Sequence, residues 1–234
     1  MDFATLTTGA FWAALGSIIL ANIVLSGDNA VVIAMAARAL PPHQQKKAIF
    51  WGSAAAIVMR IILTLIAVEM LKWPYLKIVG ALLLLYIGIS LLSESDDDDA
   101  GEHHVGSMMT AIRTILVADL VMSLDNVLAV AAAAKGNTPL LIIGLAVSIP
   151  LIVFGSTLLL KVMDRFPFII TLGAALLGYL AGEMLLTDPA VVTRFGAHSG
   201  VVDNVAGAIG AATVVVVGLW LQRRARAQTT LAVK

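Results

Sequence analysis

The sequence predicts an all-α transmembrane fold: a seven-helix bundle built from two inverted three-helix repeats plus a C-terminal helix. Three observations predict it. The 234 residues are 60% hydrophobic and 13% charged, with a mean hydropathy of +0.97, which no soluble globular chain matches. Seven apolar stretches have about the 20-residue length that a helix needs to cross the hydrocarbon core. A motif also occurs twice, as Ser26-Gly27-Asp28-Asn29 and as Ser123-Leu124-Asp125-Asn126. Lipid admits only helices or closed barrels, because every backbone polar group must bond internally. These runs are too long and too uniformly apolar for barrel strands, which alternate.

The spans follow in order. Gly9–Ala37 carries the first motif copy and has no basic start, so it is not expected to be a cleaved signal. Ala48–Leu71 carries Arg60 at its middle, and Tyr75–Leu92 follows Trp73-Pro74. Met108–Ala134 carries the second copy, Pro139–Leu160 comes next, and Phe168–Thr187 follows Phe166-Pro167. Val202–Leu221 closes the set. The expected organisation is a first repeat over residues 1–92, an acidic loop over 93–107, a second repeat over 108–187, and an outer loop, seventh helix and basic tail over 188–234. With the N-terminus outside, ten Lys and Arg residues flank the spans on the cytoplasmic side (Arg38, Lys46, Lys47, Arg113, Lys161, Arg165, Arg223, Arg224, Arg226, Lys234). Four fall outside (Lys72, Lys77, Lys135, Arg194). The excess sets the N-terminus outside and the C-terminus in the cytoplasm of a cell-membrane protein.

The repeat extends beyond the motif. Asn22 precedes Asp28 by six residues, as Asp119 precedes Asp125. Gly52 matches Gly144, Pro74 matches Pro167, and Gly80-Ala81 with Tyr86 matches Gly173-Ala174 with Tyr179. Each half holds three helices, an odd number, so the halves enter the membrane from opposite sides. Inverted repeats of this kind place a substrate site at their interface near the midplane.

An ionised carboxylate in hydrocarbon costs about 2.5–3.5 kcal/mol, so an acid inside a span is a functional hypothesis by default. If the two motif helices cross near Leu25 and Met122, Asp28 lies level with Asp119 and Asn22 with Asp125. Helical spacing aligns Asn22, Ser26 and Asn29 on one stripe, and Asp119, Ser123 and Asn126 on another. Asp28 and Asp125 fall about 120° away, so each faces a different neighbour or the helix is distorted, a break that Gly27 would ease. The candidate cation ligands are therefore Asp28, Asp125, Asp119, Asn29, Asn126, Asn22, Ser26 and Ser123. Arg60 is expected either to form a structural ion pair with a bundle carboxylate or to pair with a motif acid when no cation is bound. Its counterpart in the second half is the apolar Ile152. Glu69 and Glu183 lie near outer helix ends; Glu183 follows the small-residue stripe Ala174, Gly178, Gly182, which lets that helix pack closely on the core. The acidic loop with Glu94, Asp96–Asp99, Glu102, His103 and His104 is expected to be a solvated linker.

A net charge of zero gives no reason to expect nucleic acid. The absence of cysteine excludes thiolate ligation, disulfides and thiol redox chemistry. The four histidines lie at or outside helix ends, so an intramembrane metal site would be built of oxygen, which suits Mn²⁺, Mg²⁺ or Ca²⁺. No nucleophile–base pair lies in the spans, so no enzymatic activity and no resident cofactor are expected. The expected partners are the lipid bilayer and a divalent metal ion; a homo-oligomer is compatible.

The doubled acid-Asn motif (Asn22, Leu25 to Asn29, Asp119, Met122 to Asn126) resembles the TerC family of integral membrane proteins in its compact seven-helix form. That family sits in a wider group with the LysE-type exporters, and the resemblance covers residues 10–187. It implies Mn²⁺ efflux, with Asp28, Asp119 and Asp125 on the metal path. The expected function is divalent cation export by alternating access, with proton exchange at desolvated carboxylates. The rival expectations are export of Ca²⁺ or a cationic amino acid, or a non-transporting membrane partner for metal loading of secreted proteins.

Overall fold

The computed structural model describes residues 9–25, 27–70, 73–93, 107–133, 138–196 and 199–232; positions 10, 14, 21–25, 67–70, 125, 127–133, 138 and 226–232 are described as backbone only. Every described element is helical: α1 (Gly9–Leu25), α2 (Gly27–Arg38), α3 (Pro42–Met70), α4 (Leu76–Ser93), α5 (Met108–Ala133), α6 (Thr138–Arg165), α7 (Phe168–Leu186), α8 (Pro189–Phe195) and α9 (Gly200–Ala232). Five of them are long and apolar enough to cross a membrane: α3, α4, α6, α7 and α9. The other two expected spans coincide with α1 plus α2, on either side of Ser26, and with α5. The acidic loop lies outside the described residues apart from its ends.

The outer surface is apolar where a soluble protein would be polar. Trp12, Leu82, Phe154, Ile209 and Val216 are all exposed, Phe154 by 70%. Apolar surface on this scale marks contact with lipid. Pro150 is accommodated inside α6, as membrane helices allow.

Packing joins the two halves of the chain rather than keeping each to itself. Gly144 on α6 sits against Ile18 on α1, where an added Cβ would lie 2.5 Å from Ile18 Cγ2. Twenty residues further along both segments, Arg38 on α2 pairs with Asp164 on α6. The α1–α2 run and α6 therefore climb the bundle in parallel. Gly52 on α3 sits in the same way against Ile115 on α5, 2.7 Å from Cδ1. Farther up, Arg60 on α3 meets Asp119 and Ser123 on α5, so this pair is parallel too. Helix α4 runs antiparallel to α7, with Gly80 against Met184 and Gly88 against Leu177.

The stripe of small residues on α7 serves two neighbours: Ala174 lies in the core as the sequence suggests, and the two glycines take another helix. Gly178 and Gly182 receive α9: an added Cβ at Gly178 would collide with the Gly210 carbonyl, and one at Gly182 with the Ala206 carbonyl. Glycine here permits backbone contact that no side chain allows. Asp188, fully buried after α7, fixes the neighbouring end of the bundle. Its Oδ1 accepts from Ala190 N (2.8 Å), capping α8, and from Tyr75 N (3.0 Å); its Oδ2 accepts from Lys77 N (3.1 Å) at the start of α4. Tyr75 has a positive φ of 69° in this turn, the only described non-glycine residue that does. Asp-Pro is a plain cap signature at Asp188-Pro189; its second client, α4, lies more than a hundred positions away and leaves no local trace.

Gly182→Leu is expected to push α9 from α7 and to destabilise the folded protein by about 1–3 kcal/mol, as overpacking does. Gly155→Ala, inside α6 where an added Cβ meets nothing within 4 Å, should not destabilise and should gain up to about 1 kcal/mol. Denaturation midpoints in detergent micelles check both.

Candidate functional site

The polar residues of the bundle gather where α2, α3 and α5 meet. Consecutive residues on a helix point about 100° apart, and Asp28 and Asn29 use that difference. Asn29 turns inward and is 2% exposed, while Asp28 is partly buried. Asn29 Nδ2 donates to Asp119 Oδ1 at 2.9 Å. Asp28 Oδ1 accepts from the backbone N–H of Asn29 at 2.8 Å.

Asp119 is the hub of the inner cluster. Arg60 Nη2 donates to Oδ1 in a buried ion pair, and Ser123 Oγ donates to Oδ2 at 3.3 Å. Arg60 Nε donates to Ser123 Oγ at 3.0 Å. Both ion-pair partners are nearly fully enclosed, Arg60 being 1% exposed and Asp119 5%. The Arg60 carbonyl accepts from Thr64 Oγ1 at 2.7 Å. One atom of the cluster is left over: Asn29 Oδ1 is buried and has no hydrogen-bond partner. An unsatisfied buried acceptor costs about 1–3 kcal/mol.

Beside this cluster lies a half-open cavity of about 290 Å³. Asp28 and Asn126 line it, with Met122, Glu183, Thr187 and Asp203. Arg60 and Asp119 both lie within Coulombic range of Asp28, yet neither lines the cavity. The cavity faces the end of the bundle where α7 finishes: Lys77 Nζ reaches Thr187 Oγ1 at 3.4 Å there. Tyr179 ties α7 to α9 below that rim, donating to Asn204 Oδ1 at 2.8 Å.

The expected level of Asp28 with Asp119 therefore has a structural counterpart, through Asn29. The two carboxylates nonetheless differ in role: Asp119 is neutralised by Arg60, and Asp28 faces the cavity. Ser123 and Asn29 join Asp119; Asn126 joins Asp28. Ser26 and the side chains of Asn22, Asp125 and Glu69 lie outside the described residues. Among the described residues, no three carboxylates or imidazoles are placed to hold one metal ion. Two cavity residues, Asp203 and Thr187, did not stand out in the sequence. Asp203 lies in the first turn of the seventh helix, where an acid reads as an ordinary helix-end residue; its relation to Asp28 is purely tertiary.

A bundle of apolar helices agrees with the family comparison. The Integral membrane protein TerC family matches residues 7–226. The chain belongs to the TerC family. A Bacillus subtilis relative, the uncharacterized membrane protein YjbE, is 43% identical over 202 residues, which is 86% of this TerC chain and 92% of the relative. YceF of the same bacterium, also described as an uncharacterized membrane protein, is 27% identical over 188 residues, 76% of this chain and 73% of its own. The UPF0053 inner membrane protein YoaE of Escherichia coli K12 is 29% identical over 183 residues, 70% of this chain but 35% of the relative. No solved structure matches this TerC protein.

Removing one member of the inner ion pair leaves a bare buried charge, at a cost of about 3–5 kcal/mol. Arg60→Met should therefore lower stability by about that amount. Arg60→Met combined with Asp119→Leu should recover most of it. Chemical denaturation of the purified variants in micelles measures the difference.

Proposed function

We propose that this TerC protein is a cell-membrane exporter of divalent cations, Mn²⁺ first among them. The observation that carries the reading is the unpartnered, buried Oδ1 of Asn29, on a residue whose Nδ2 donates to Asp119 and whose backbone N–H donates to Asp28. An acceptor left bare inside a lipid-embedded bundle is costly; a bound cation would satisfy it. Carboxylate, amide and hydroxyl oxygens suit hard divalent ions. Asp28, Asn126 and the acids Glu183 and Asp203 give such an ion a polar way out through the cavity. Asp125, Asn22 and Ser26 complete the ligand set by their place in the repeated motif. The preference for Mn²⁺, and kinship with the LysE-type exporters, rest on family resemblance.

The reading includes seven spans in two inverted repeats, with the N-terminus outside. Packing supports it. Ile18 and Ile115 each stand ten residues before a motif aspartate, and each lies against one of the matched glycines of the opposite half, Gly144 and Gly52. Such reciprocal contacts are what a two-fold axis between halves generates. The first helix of each half packs on the second of the other, and α4 packs on α7. Alternating access would then rock one half against the other around the acid cluster, moving ions rather than catalysing a reaction. Acids in this setting can exchange metal for protons, which gives inward protons as the driving force.

The test is flux into proteoliposomes holding a Mn²⁺-sensitive dye, with and without a pH gradient. Wild-type protein should carry Mn²⁺. Asp28→Asn and Asp125→Asn should each reduce the rate at least tenfold while still inserting as folded protein. Undiminished flux in a folded Asp125→Asn variant, or movement of a cationic amino acid in place of metal, would replace the proposal.

A further inference from the structure

Arg60 is the bulkiest fully enclosed side chain among the described residues, and its guanidinium is charged at any working pH. The matched position in the second repeat is Ile152, also buried. An apolar side chain therefore fills that place in one half, and packing alone does not call for a cation in the other.

The guanidinium sits on the oxygens assigned above to the metal. Nη2 donates to Asp119 Oδ1, the atom that also accepts from Asn29 Nδ2, and Nε donates to Ser123 Oγ at 3.0 Å. It can only donate, so it satisfies the carboxylate and does nothing for the bare Asn29 Oδ1. A metal ion held by Asp119 and Asn29 would meet both needs. It could not do so beside the guanidinium, because two cations on one carboxylate oxygen repel strongly where water is excluded.

We propose that Arg60 is a tethered counter-cation, resting on Asp119 when the site is empty and displaced by the incoming divalent ion. The proposal rests on the transport reading above and names the residue that sets the affinity of that site. Asp119 then never stands bare in the membrane, whether loaded or empty, which spares the empty carrier the cost of an uncompensated charge. Competition from the tether also weakens equilibrium binding, and a site that must release its ion cannot hold it too tightly. Arg60 is thus a positioning residue that speeds release.

The sign of its effect is diagnostic. In the full chain purified in detergent, Arg60→Met should bind Mn²⁺ about tenfold more tightly than wild type, or better, with slower turnover in proteoliposomes. Arg60→Lys keeps the charge but loses the Nε bond to Ser123. It should show a smaller rise, and it covers the case in which Arg60→Met does not fold. Titration calorimetry reads the affinity, and the Mn²⁺-induced rise in unfolding midpoint reads it independently. If Arg60 only braced the structure, the affinity would fall on substitution. Unchanged or weaker binding in a folded variant, while wild type still carries Mn²⁺, overturns the proposal alone. A wild type that neither binds nor carries Mn²⁺ overturns the transport reading and the proposal with it.

Discussion

Charge inside hydrocarbon is so costly that it must be answered locally, and the architecture of this protein turns on how Asp119 is answered. Moving a carboxylate and a guanidinium from water to a low-dielectric interior costs several kcal/mol each even after relaxation. Only close contact with further hydrogen bonds offsets that. Asp119 collects Arg60, Asn29 and Ser123 from three helices, and those helices must hold their register for the cluster to exist. Asp28, one residue from Asn29, is answered differently: it takes its own backbone donor and the polar cavity. Two acids in Coulombic range thus occupy distinct environments, one pinned and one open.

The helix pairings serve this division. The parallel run of α3 beside α5, set by Gly52 against Ile115, delivers Arg60 to Asp119 two turns later. The α1–α2 run beside α6 sets the height of Asn29. Helix α9 reaches the site through backbone contact with α7, possible only because Gly178, Gly182 and Gly210 carry no side chain; that contact brings Asp203 to the cavity. Asp188 ties the starts of α4 and α8 together at the same end of the bundle. Helix α9 therefore contributes an acid to the cavity that Asp28 lines.

What the sequence disclosed and what it hid follow from range. Hydropathy locates the helices, because each span must satisfy lipid along its own length; Tyr75–Leu92 and Phe168–Thr187 match α4 and α7 within about a residue. The motif acids stand out because an acid in a span has no innocent explanation. Arg60 announces an ion pair by the same logic, and its partner is Asp119. The short helix α8 escaped notice, being seven residues in a loop with no apolar period. The use of the α7 stripe also escaped: small residues say that a helix approaches, not which one. The divergent facing of Asp28 and Asn29 was legible as an angle on a helical wheel; that Asp28 would share a cavity with Asp203 was not, since the two residues lie 175 positions apart in sequence.

The central claim is that the Asp28–Asn29–Asp119 cluster receives a divalent cation. Anomalous diffraction from crystals grown with Mn²⁺ tests it most directly. The account predicts one strong manganese peak inside the bundle, about 2.0–2.6 Å from carboxylate or amide oxygens of that cluster. Manganese found only on the acidic loop or the outer surface, with Arg60 still seated on Asp119 at saturating metal, would contradict it.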